Sequence, residues 1–368
     1  MRIADRLTSG SKPQRDLLRR LREAQQPVVI YGAGVYAYVL KRFLDANGVA
    51  VGGVMVDAAY HSEQPFMGMT PARTEDALPR LAGQPIVVGI ANYPLLIDKL
   101  TRLGVTDVHV IDVPDYLNMP HAFMDRRFVR ENAERFDAAW ALLADDLSRE
   151  TYVAAINTKI SEDLEHVRPF VRLDRLYFPA TEFPLHDSEV LLDVGGFTGD
   201  TVREFHEITG GRYSRIISLE PSAENFNKLQ ATIEELGLTR VLPLRIGAWD
   251  EKTTLPFAPQ EVPIDNRISP GGVGRIAVDR IDALLHDIAE PVSLMKFDIN
   301  GAEYPAISGA RETIRRLRPR VVTRLHRKED FFRLPILLKE LAPDMRLYLR
   351  QRNYMSMMLV LYGVFDSP

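Results

Sequence analysis

Two glycine-rich turns, each lying between an apolar strand and a helix, constrain the fold of this chain more than any other feature. The first turn is VVIYGAGVYA at residues 28–37, and the second is LLDVGGFTGDT at residues 191–201. A strand that enters a helix through glycines is typical of a βαβ unit, in which the next strand runs parallel to the first. Two such units, far apart in the chain, predict two α/β domains.

Alternating strands and helices follow both turns. The first turn is followed by VYAYVLKRFLDANG, VAVGGVMVD, QPIVVGI, PLLIDKLTRLGV and DVHVIDV, and the second by RIISLE, VLPLRIGA, VSLMKFDI and RVVTRL with helices between them. The last two strands, MRLYLRQ and MSMMLVLYGVF, are joined by a short polar link. This ending predicts an antiparallel hairpin at the edge of a parallel sheet.

The chain length agrees with more than one domain. Its 368 residues exceed the roughly 250–300 at which single cores stop growing. The charged stretch RFVRENAERFDAAWALLADDL lacks a βαβ pattern and reads as helix. We predict an N-terminal arm or helix at 1–26, a Rossmann-like nucleotide-binding or scaffold domain at 27–118, a helical connector at 119–185 and a second α/β domain at 186–368.

Composition excludes several classes of function. The formal net charge is −4, so the composition indicates no electrostatic attraction to nucleic acid or to an anionic membrane surface. The chain has no cysteine, so thiolate metal sites and cysteine nucleophiles are excluded. No apolar run reaches membrane-spanning length. Together with the absence of cysteine, this leads us to expect a cytoplasmic protein. The histidines lack the spacing of metal ligands, so we predict no protein-built metal site.

The second glycine turn contains an acid, Asp193, at the end of its strand. A carboxylate there repels an anionic pyrophosphate but attracts a cationic ligand. S-adenosylmethionine (SAM) carries both a sulfonium and an ammonium group. We therefore predict that the turn binds SAM through Asp193 together with Gly195, Gly196, Thr198 and Gly199.

The next two strands end in residues that suit the remainder of SAM. Glu220, followed by Pro221, ends the next strand at the position where dinucleotide folds bind ribose hydroxyls. The following strand ends in IGAWD, where Ala248 and Trp249 are predicted to border the adenine ring. Each feature is weak alone, and together they favour a SAM site.

The C-terminal half of the chain resembles the FkbM-type SAM-dependent methyltransferases. The resemblance rests on LLDVGGFTGDT, IISLEPSAENFNKL, RIGAWD, VDRID, LMKFDINGAEYPAISGA and RPRVVTRLHRKEDFFRLPILLKEL, in order over residues 177–365. It implies a class I methyltransferase domain with a seven-stranded mixed sheet, in a longer form with an N-terminal Rossmann-like domain. It also implies O-methylation of a hydroxyl on a sugar, a polysaccharide precursor or a secondary metabolite.

Three residues are candidates for the chemistry. Asp298 ends the fourth strand, beside the expected methyl group, and is predicted to be a base or to orient the acceptor. Lys296 lies on the same sheet face by strand alternation, either steadying that carboxylate or forming a structural ion pair. His326 follows the fifth strand, where the resemblance places a histidine.

Asn300 stands where the family usually has the glutamate of Asp-x-Glu-Gly, which puts acceptor specificity, or even activity, in question.

The long loop APQEVPIDNRISPGGVGR precedes the fourth strand and reads as a lid. Within it, Ser269 and Arg275 are candidates for substrate contact.

The first glycine turn allows three interpretations. Gly32 and Gly34 follow a strand, and Asp57 ends the next strand at the ribose position of a dinucleotide fold. The turn resembles the nucleotide-binding domain that precedes bacterial sugar acetyltransferases. The module is then a ligand-free scaffold or homodimerisation domain, a nucleotide or nucleotide-sugar site, or an NAD site. For the whole chain, the alternatives to a methyltransferase are a non-catalytic SAM- or nucleotide-sensing scaffold and an NAD-dependent oxidoreductase.

Overall fold

The computed structural model describes residues 2–24, 26–81, 83–113, 124–258, 267–268 and 271–365. The predicted boundary between residues 118 and 119 lies outside these ranges, as does Ser269. The helices are α1 (Pro13–Glu23), α2 (Val35–Ala46), α3 (Thr74–Arg80), α4 (Pro94–Arg102), α5 (Arg126–Glu131), α6 (Ala133–Ala141), α7 (Asp146–Ser161), α8 (Asp200–Thr209), α9 (Ala223–Glu235), α10 (Ile281–Leu284), α11 (Glu303–Ser308), α12 (Arg311–Leu317) and α13 (Asp330–Leu341).

The strands of the described ranges form three sheets. They are β1 (Val28–Tyr31), β2 (Val51–Val56), β3 (Ala72–Arg73), β4 (Ile86–Val88), β5 (Val108–Val110), β6 (Val190–Val194), β7 (Arg215–Leu219), β8 (Val241–Leu244), β9 (Gly247–Ala248), β10 (Thr253–Ala258), β11 (Arg267–Ile268), β12 (Gly274–Asp279), β13 (Leu294–Phe297), β14 (Arg320–Arg324), β15 (Arg346–Gln351) and β16 (Leu359–Val364). No helix in these ranges has the length and apolar character that crossing a membrane requires.

The first sheet is parallel, with the order β3-β2-β1-β4-β5. All four residues of β1 are buried, as expected for a parallel strand covered on both faces. The strand order reverses between β1 and β4, and the carboxyl ends at such a switch point form the ligand crevice of nucleotide-binding folds.

The region after the first sheet is only partly helical. Asp125 and Asp145 cap α5 and α7 by accepting hydrogen bonds from backbone N–H groups of the first turn. From residue 171 to residue 189 the chain has neither helix nor strand, apart from a single bridge at Val171. Proline removes a backbone donor and clashes with the preceding turn of a helix. Prolines at 179 and 184 lie in this irregular stretch and explain why the helical part of the predicted connector does not extend through it.

The large sheet has the order β15-β16-β14-β13-β6-β7-β8. Strands β6, β7, β8, β13 and β14 run parallel, whereas β16 is antiparallel to both β14 and β15. This confirms the predicted mixed sheet with its terminal hairpin. The final strand begins at Leu359, later than predicted, because Arg352 N–H donates to the Met358 carbonyl and closes a turn before it.

The third sheet was missed. It has the order β11-β10-β12-β9. Strand β9 comes from the stretch predicted as a single long strand, β11 and the start of β12 come from the predicted lid loop, and most of β10 comes from residues that were given no strand. The strand is interrupted between β8 and β9, so the stretch VLPLRIGA contributes to two sheets: β8 belongs to the large sheet and β9 to the third sheet. Arg275 lies in β12, where its Nη2 donates to the carbonyl of Thr254 at 3.1 Å. A contiguous buried cluster joins apolar side chains of both halves of the chain, from Tyr31 and Met55 to Leu361.

Candidate active site

A cavity of about 290 Å³ opens at the carboxyl ends of the central strands of the large sheet. Its walls come from the loops after β6, β7 and β13, from the third sheet and from the turn before β16. Of the predicted residues, Gly195, Glu220, Pro221, Ala248, Lys296 and Asp298 line it. The other predicted residues of this half, Asp193, Gly196, Thr198, Gly199, Trp249 and His326, lie outside its lining.

The glycines after β6 allow very close packing. Gly195 has a φ of +91°, and a Cβ there would lie 2.3 Å from the Asp298 carbonyl oxygen. A Cβ on Gly196 would lie 2.1 Å from Ser218 Oγ. Both residues donate their backbone N–H to the Leu219 carbonyl, at 3.0 and 2.9 Å. The turn is thereby pressed against β7 and β13, which leaves space for a ligand in front of it.

Asp193 lies behind this turn rather than in the cavity. Its side chain is fully buried, with Lys296 Nζ 3.0 Å from Oδ1 and Ser218 Oγ donating to Oδ2 at 2.8 Å. Lys296 also donates to the Gly195 carbonyl at 2.7 Å. Burial alone would lower the pKa of Lys296, but the Asp193 carboxylate holds it above its usual value. The pair fixes the turn, so the ion-pair interpretation of Lys296 fits and the partner is Asp193.

Glu220 lies at the end of β7 and faces the cavity. Its Oε2 accepts from Phe197 N–H at 2.9 Å and its Oε1 from Ser222 N–H at 2.8 Å. Each carboxylate oxygen has a second lone pair, so two further donors can be accepted. Burial raises the pKa of Glu220 to about 7, against the two backbone N–H groups that favour the charged form.

Asp200 was missed by the sequence argument. It is the first residue of α8, directly after Gly199, and its side chain lines the cavity. The Asp200 carboxylate accepts no hydrogen bond from the described part of the chain. The signal was present as the second acid of LLDVGGFTGDT, but no strand pattern marks a residue that starts a helix. A carboxylate here offers a cationic ligand a partner that the buried Asp193 does not.

The third sheet supplies an apolar wall. Phe257, Ile268 and Ile276 line the cavity together with Gly247 and Ala248. This wall suits a flat apolar ring. Trp249 instead packs against the third sheet's own core, so its predicted place beside adenine stays a prediction.

Asp298, after β13, is the most heavily contacted group of the cavity. Its Oδ2 accepts from the Tyr177 hydroxyl and from Arg324 Nη1, the latter at 3.1 Å. His326 Nε2 lies 3.3 Å from its Oδ1. Burial would raise the pKa of Asp298, but Arg324, His326 and Lys296 outweigh burial and hold it well below its usual value. The group is therefore a carboxylate at neutral pH.

His326 lies between two carboxylates. Its Nδ1 is 2.9 Å from Oε1 of the fully buried Glu303, and the same oxygen accepts from Ile299 N–H at 2.8 Å. Glu303, the first residue of α11, thus orients this imidazole. The row Glu303–His326–Asp298 leads from the interior to the cavity, so the imidazole is held beside Asp298 from behind.

The same three side chains could, by distance, hold a metal ion. Their contacts with one another and with Arg324 leave few oxygen and nitrogen atoms for such an ion. Both imidazole nitrogens face carboxylate oxygens at hydrogen-bonding or near-hydrogen-bonding distance, and the Arg324 guanidinium already occupies the other oxygen of Asp298. The prediction of no metal site stays a prediction.

The first glycine turn lies in a different setting. Gly32 has a φ of +118°, and a Cβ there would lie 2.9 Å from the Gly89 carbonyl oxygen, so this glycine is required for the approach of the loop after β4. Gly34 immediately precedes α2. Asp57, the predicted ribose acceptor, is bound by Lys99 Nζ and by the Tyr31 hydroxyl. Its carboxylate already has a cationic partner.

The sequence of the second half matches the family model described as the methyltransferase FkbM domain, over residues 193–355. Residues 193–355 are thus identified as an FkbM methyltransferase domain. The domain contains the turn after β6, Glu220, Asp298 and His326, and its family is SAM-dependent. No curated protein matches the chain.

Solved structures agree in fold. The chain is similar to the FkbM methyltransferase from Methylobacillus flagellatus KT, with 21% identity and a TM-score of 0.63, over 97% of this chain and 94% of that one. Since this likeness covers both halves, it extends the shared fold beyond the FkbM domain.

Two further solved structures resemble about half of the chain. An rRNA methylase from Streptococcus thermophilus has 13% identity and a TM-score of 0.32, over 50% of this chain and 90% of that one. A SAM-dependent methyltransferase from Aquifex aeolicus has 14% identity and a TM-score of 0.28, over 55% and 88%.

Proposed function

We propose that the chain transfers a methyl group from SAM to a hydroxyl of a sugar, a polysaccharide precursor or a secondary metabolite. The observation that carries this proposal is that Glu220 and Asp298 line one cavity. Glu220 is a carboxylic acid suited to two ribose hydroxyls, and Asp298 is an ionised carboxylate backed by His326.

The residues around the cavity fit SAM. Glu220 would accept from the ribose hydroxyls, the wall of Ala248 and Phe257 would contact the adenine, and Asp200 would bind the ammonium. The Gly195 turn, held by Asp193 and Lys296, would contact the methionine part. When bound, SAM supplies an electrophilic methyl carbon on a sulfonium sulfur and leaves as S-adenosylhomocysteine (SAH).

The chain's contribution to the chemistry is alignment and removal of a proton. As the acceptor oxygen bonds to the methyl carbon, the carbon–sulfur bond breaks with its electrons on sulfur. The acceptor proton passes to Asp298 Oδ1, which lies 3.3 Å from His326 Nε2, with Glu303 holding the imidazole in place. Arg324 and Tyr177 keep the Asp298 carboxylate directed into the cavity. A base so placed favours a hydroxyl acceptor over one that has no proton to lose.

The proposal is tested in two steps. The first is calorimetric titration of the protein with SAH, where saturable one-to-one binding that Glu220→Ala abolishes supports the site. The second is transfer of label from methyl-labelled SAM to a pool of glycosides and phenols, with Tyr60→Ala as a matched surface variant, since Tyr60 is 79% exposed. Binding of SAH without transfer to any hydroxyl compound would favour the sensing scaffold, for which Asn300 in the cavity wall is the structural reason.

A further inference from the structure

Residues 354–358, between β15 and β16, contact both halves of the chain. On one side, Met357 and Met358 line the cavity. The Met357 carbonyl accepts from Arg324 Nη2 at 2.8 Å, and Nη1 of the same guanidinium donates to Asp298. The position of this segment is thus connected to the carboxylate at the centre of the site through one side chain.

On its other side, the segment lies against the carboxyl edge of the first sheet. The Tyr36 hydroxyl, after β1, donates to Met357 Sδ at 3.0 Å. The ring of Tyr93, after β4, lies 5.2 Å from that of Tyr354 between centroids. These two contacts come from both sides of the switch point at which nucleotide-binding folds hold their ligand.

A third contact follows β5. Ser356 N–H donates to Asp112 Oδ1 at 3.3 Å, and both groups are buried. Asp112 is itself fixed by Gln14, whose amide donates to the Asp112 carbonyl at 2.7 Å and accepts from its N–H at 2.8 Å. The edge of the first sheet is therefore built to hold a piece of its own chain.

We propose that the first module, the α/β unit around the first sheet, supports the outer wall of the methyl-acceptor site and is not a nucleotide-binding domain. Its carboxyl edge holds residues 354–358 so that Met357 and Met358 face the acceptor, and Tyr36 and Met357 determine which acceptors fit. The inference rests on the proposed function of the cavity.

The chemistry of the segment indicates how the acceptor is selected. Methionine side chains are unbranched and polarizable, and they adapt to ligands of irregular shape. Leu176 lines the same cavity. An acceptor that presents an apolar face to the methionines and a hydroxyl to Asp298 meets both requirements of this wall. Tyr36 acts through Met357, and is a positioning residue.

The first test compares Met357→Ala, Tyr36→Ala and Tyr36→Phe with wild type in labelled-SAM transfer to the glycoside and phenol pool. We expect the two alanine variants to raise the KM for the acceptor by about tenfold, or about 1.4 kcal/mol, and to change the ratio of products. The affinity for SAH should stay within about twofold, because Glu220 and the Gly195 turn are untouched. Tyr36→Phe, which keeps the ring, should recover part of the effect, and the exposed Tyr60→Ala should show none.

Unchanged product ratios and acceptor KM in Met357→Ala would overturn the inference. If wild type binds SAH and methylates nothing in the pool, the proposed function fails separately, and a second test then decides the role of the first module. ATP, NAD⁺ and UDP-glucose are titrated by calorimetry into the SAH-saturated full chain. We expect no further binding, and a saturable second site for any of the three would overturn the inference.

Discussion

His326 Nδ1 lies 2.9 Å from Oε1 of Glu303, a side chain with no solvent exposure. Burial alone would raise the pKa of Glu303, but His326 outweighs burial and lowers it. Because the other nitrogen of the ring lies 3.3 Å from Asp298 Oδ1, this pair fixes the imidazole beside the proposed base.

Glu303→Gln is expected to lower kcat about tenfold or more without changing the KM for the acceptor or the affinity for SAH. The glutamine keeps the shape of the side chain and can still accept from Ile299 N–H, but it no longer provides a charge for the imidazole. The measurements are steady-state kinetics, SAH calorimetry and the midpoint of thermal unfolding. A kcat equal to that of wild type in a normally stable variant would reduce Glu303 to a structural partner of His326.

Asp298→Asn removes the proposed base and is expected to lower turnover by about 100-fold or more. The amide still occupies the space between Tyr177 and Arg324, so the cavity should keep its shape and SAH should bind within about threefold of wild type. Single-turnover transfer from labelled SAM measures the loss directly. Retention of more than half of the wild-type rate would show that proximity alone accelerates the transfer.

The sequence placed the main acids of the site well, since a carboxyl end of a buried strand can be recognised locally. Asp193 lies near the end of β6, Glu220 and Asp298 directly follow β7 and β13, and all three lie at the same edge of the sheet. Strand alternation also put Lys296 on the face of Asp298. The pairing of Lys296 with Asp193 depends on the register between β13 and β6, and one sequence does not contain that register.

The contacts that could not be predicted from the sequence join segments that are far apart along the chain. Arg324 and Tyr177 reach Asp298 only after the sheet has assembled, and Met357 reaches the cavity through a turn that was read as strand. The third sheet was missed because its short strands are interrupted by glycine and proline, which read as a loop. The first glycine turn was left with three interpretations, because the segment that contacts this edge of the first sheet, residues 354–358, comes from the other end of the chain.

Lys296→Met leaves the fully buried Asp193 carboxylate with Ser218 but without a cationic partner. Removal of one member of a buried ion pair costs about 3–5 kcal/mol, because the remaining charge is not compensated. We expect the free energy of unfolding, measured by urea denaturation, to fall by that order. The double variant Asp193→Asn with Lys296→Met should recover a large part of the loss, and its failure to do so would mean that Lys296 stabilises the turn through the Gly195 carbonyl instead.

Glu220 predicts opposite pH dependences for binding and for stability. The pKa of Glu220 is raised by burial from 4.5 to about 7, so between these values the native state holds a proton that the unfolded chain has lost. Stability contributed by this proton is present at low pH and is lost as the pH rises through about 7.

Glu220→Gln cannot ionise, so its free energy of unfolding relative to wild type should rise across that window by up to about 3 kcal/mol. The affinity of wild type for SAH should increase over the same range, because the carboxylate accepts from ribose hydroxyls better than the acid does. Urea denaturation and SAH calorimetry at pH values on both sides of about 7 measure the two trends. An SAH affinity that does not change with pH in wild type, or that survives in Glu220→Gln, would remove Glu220 from the ribose site.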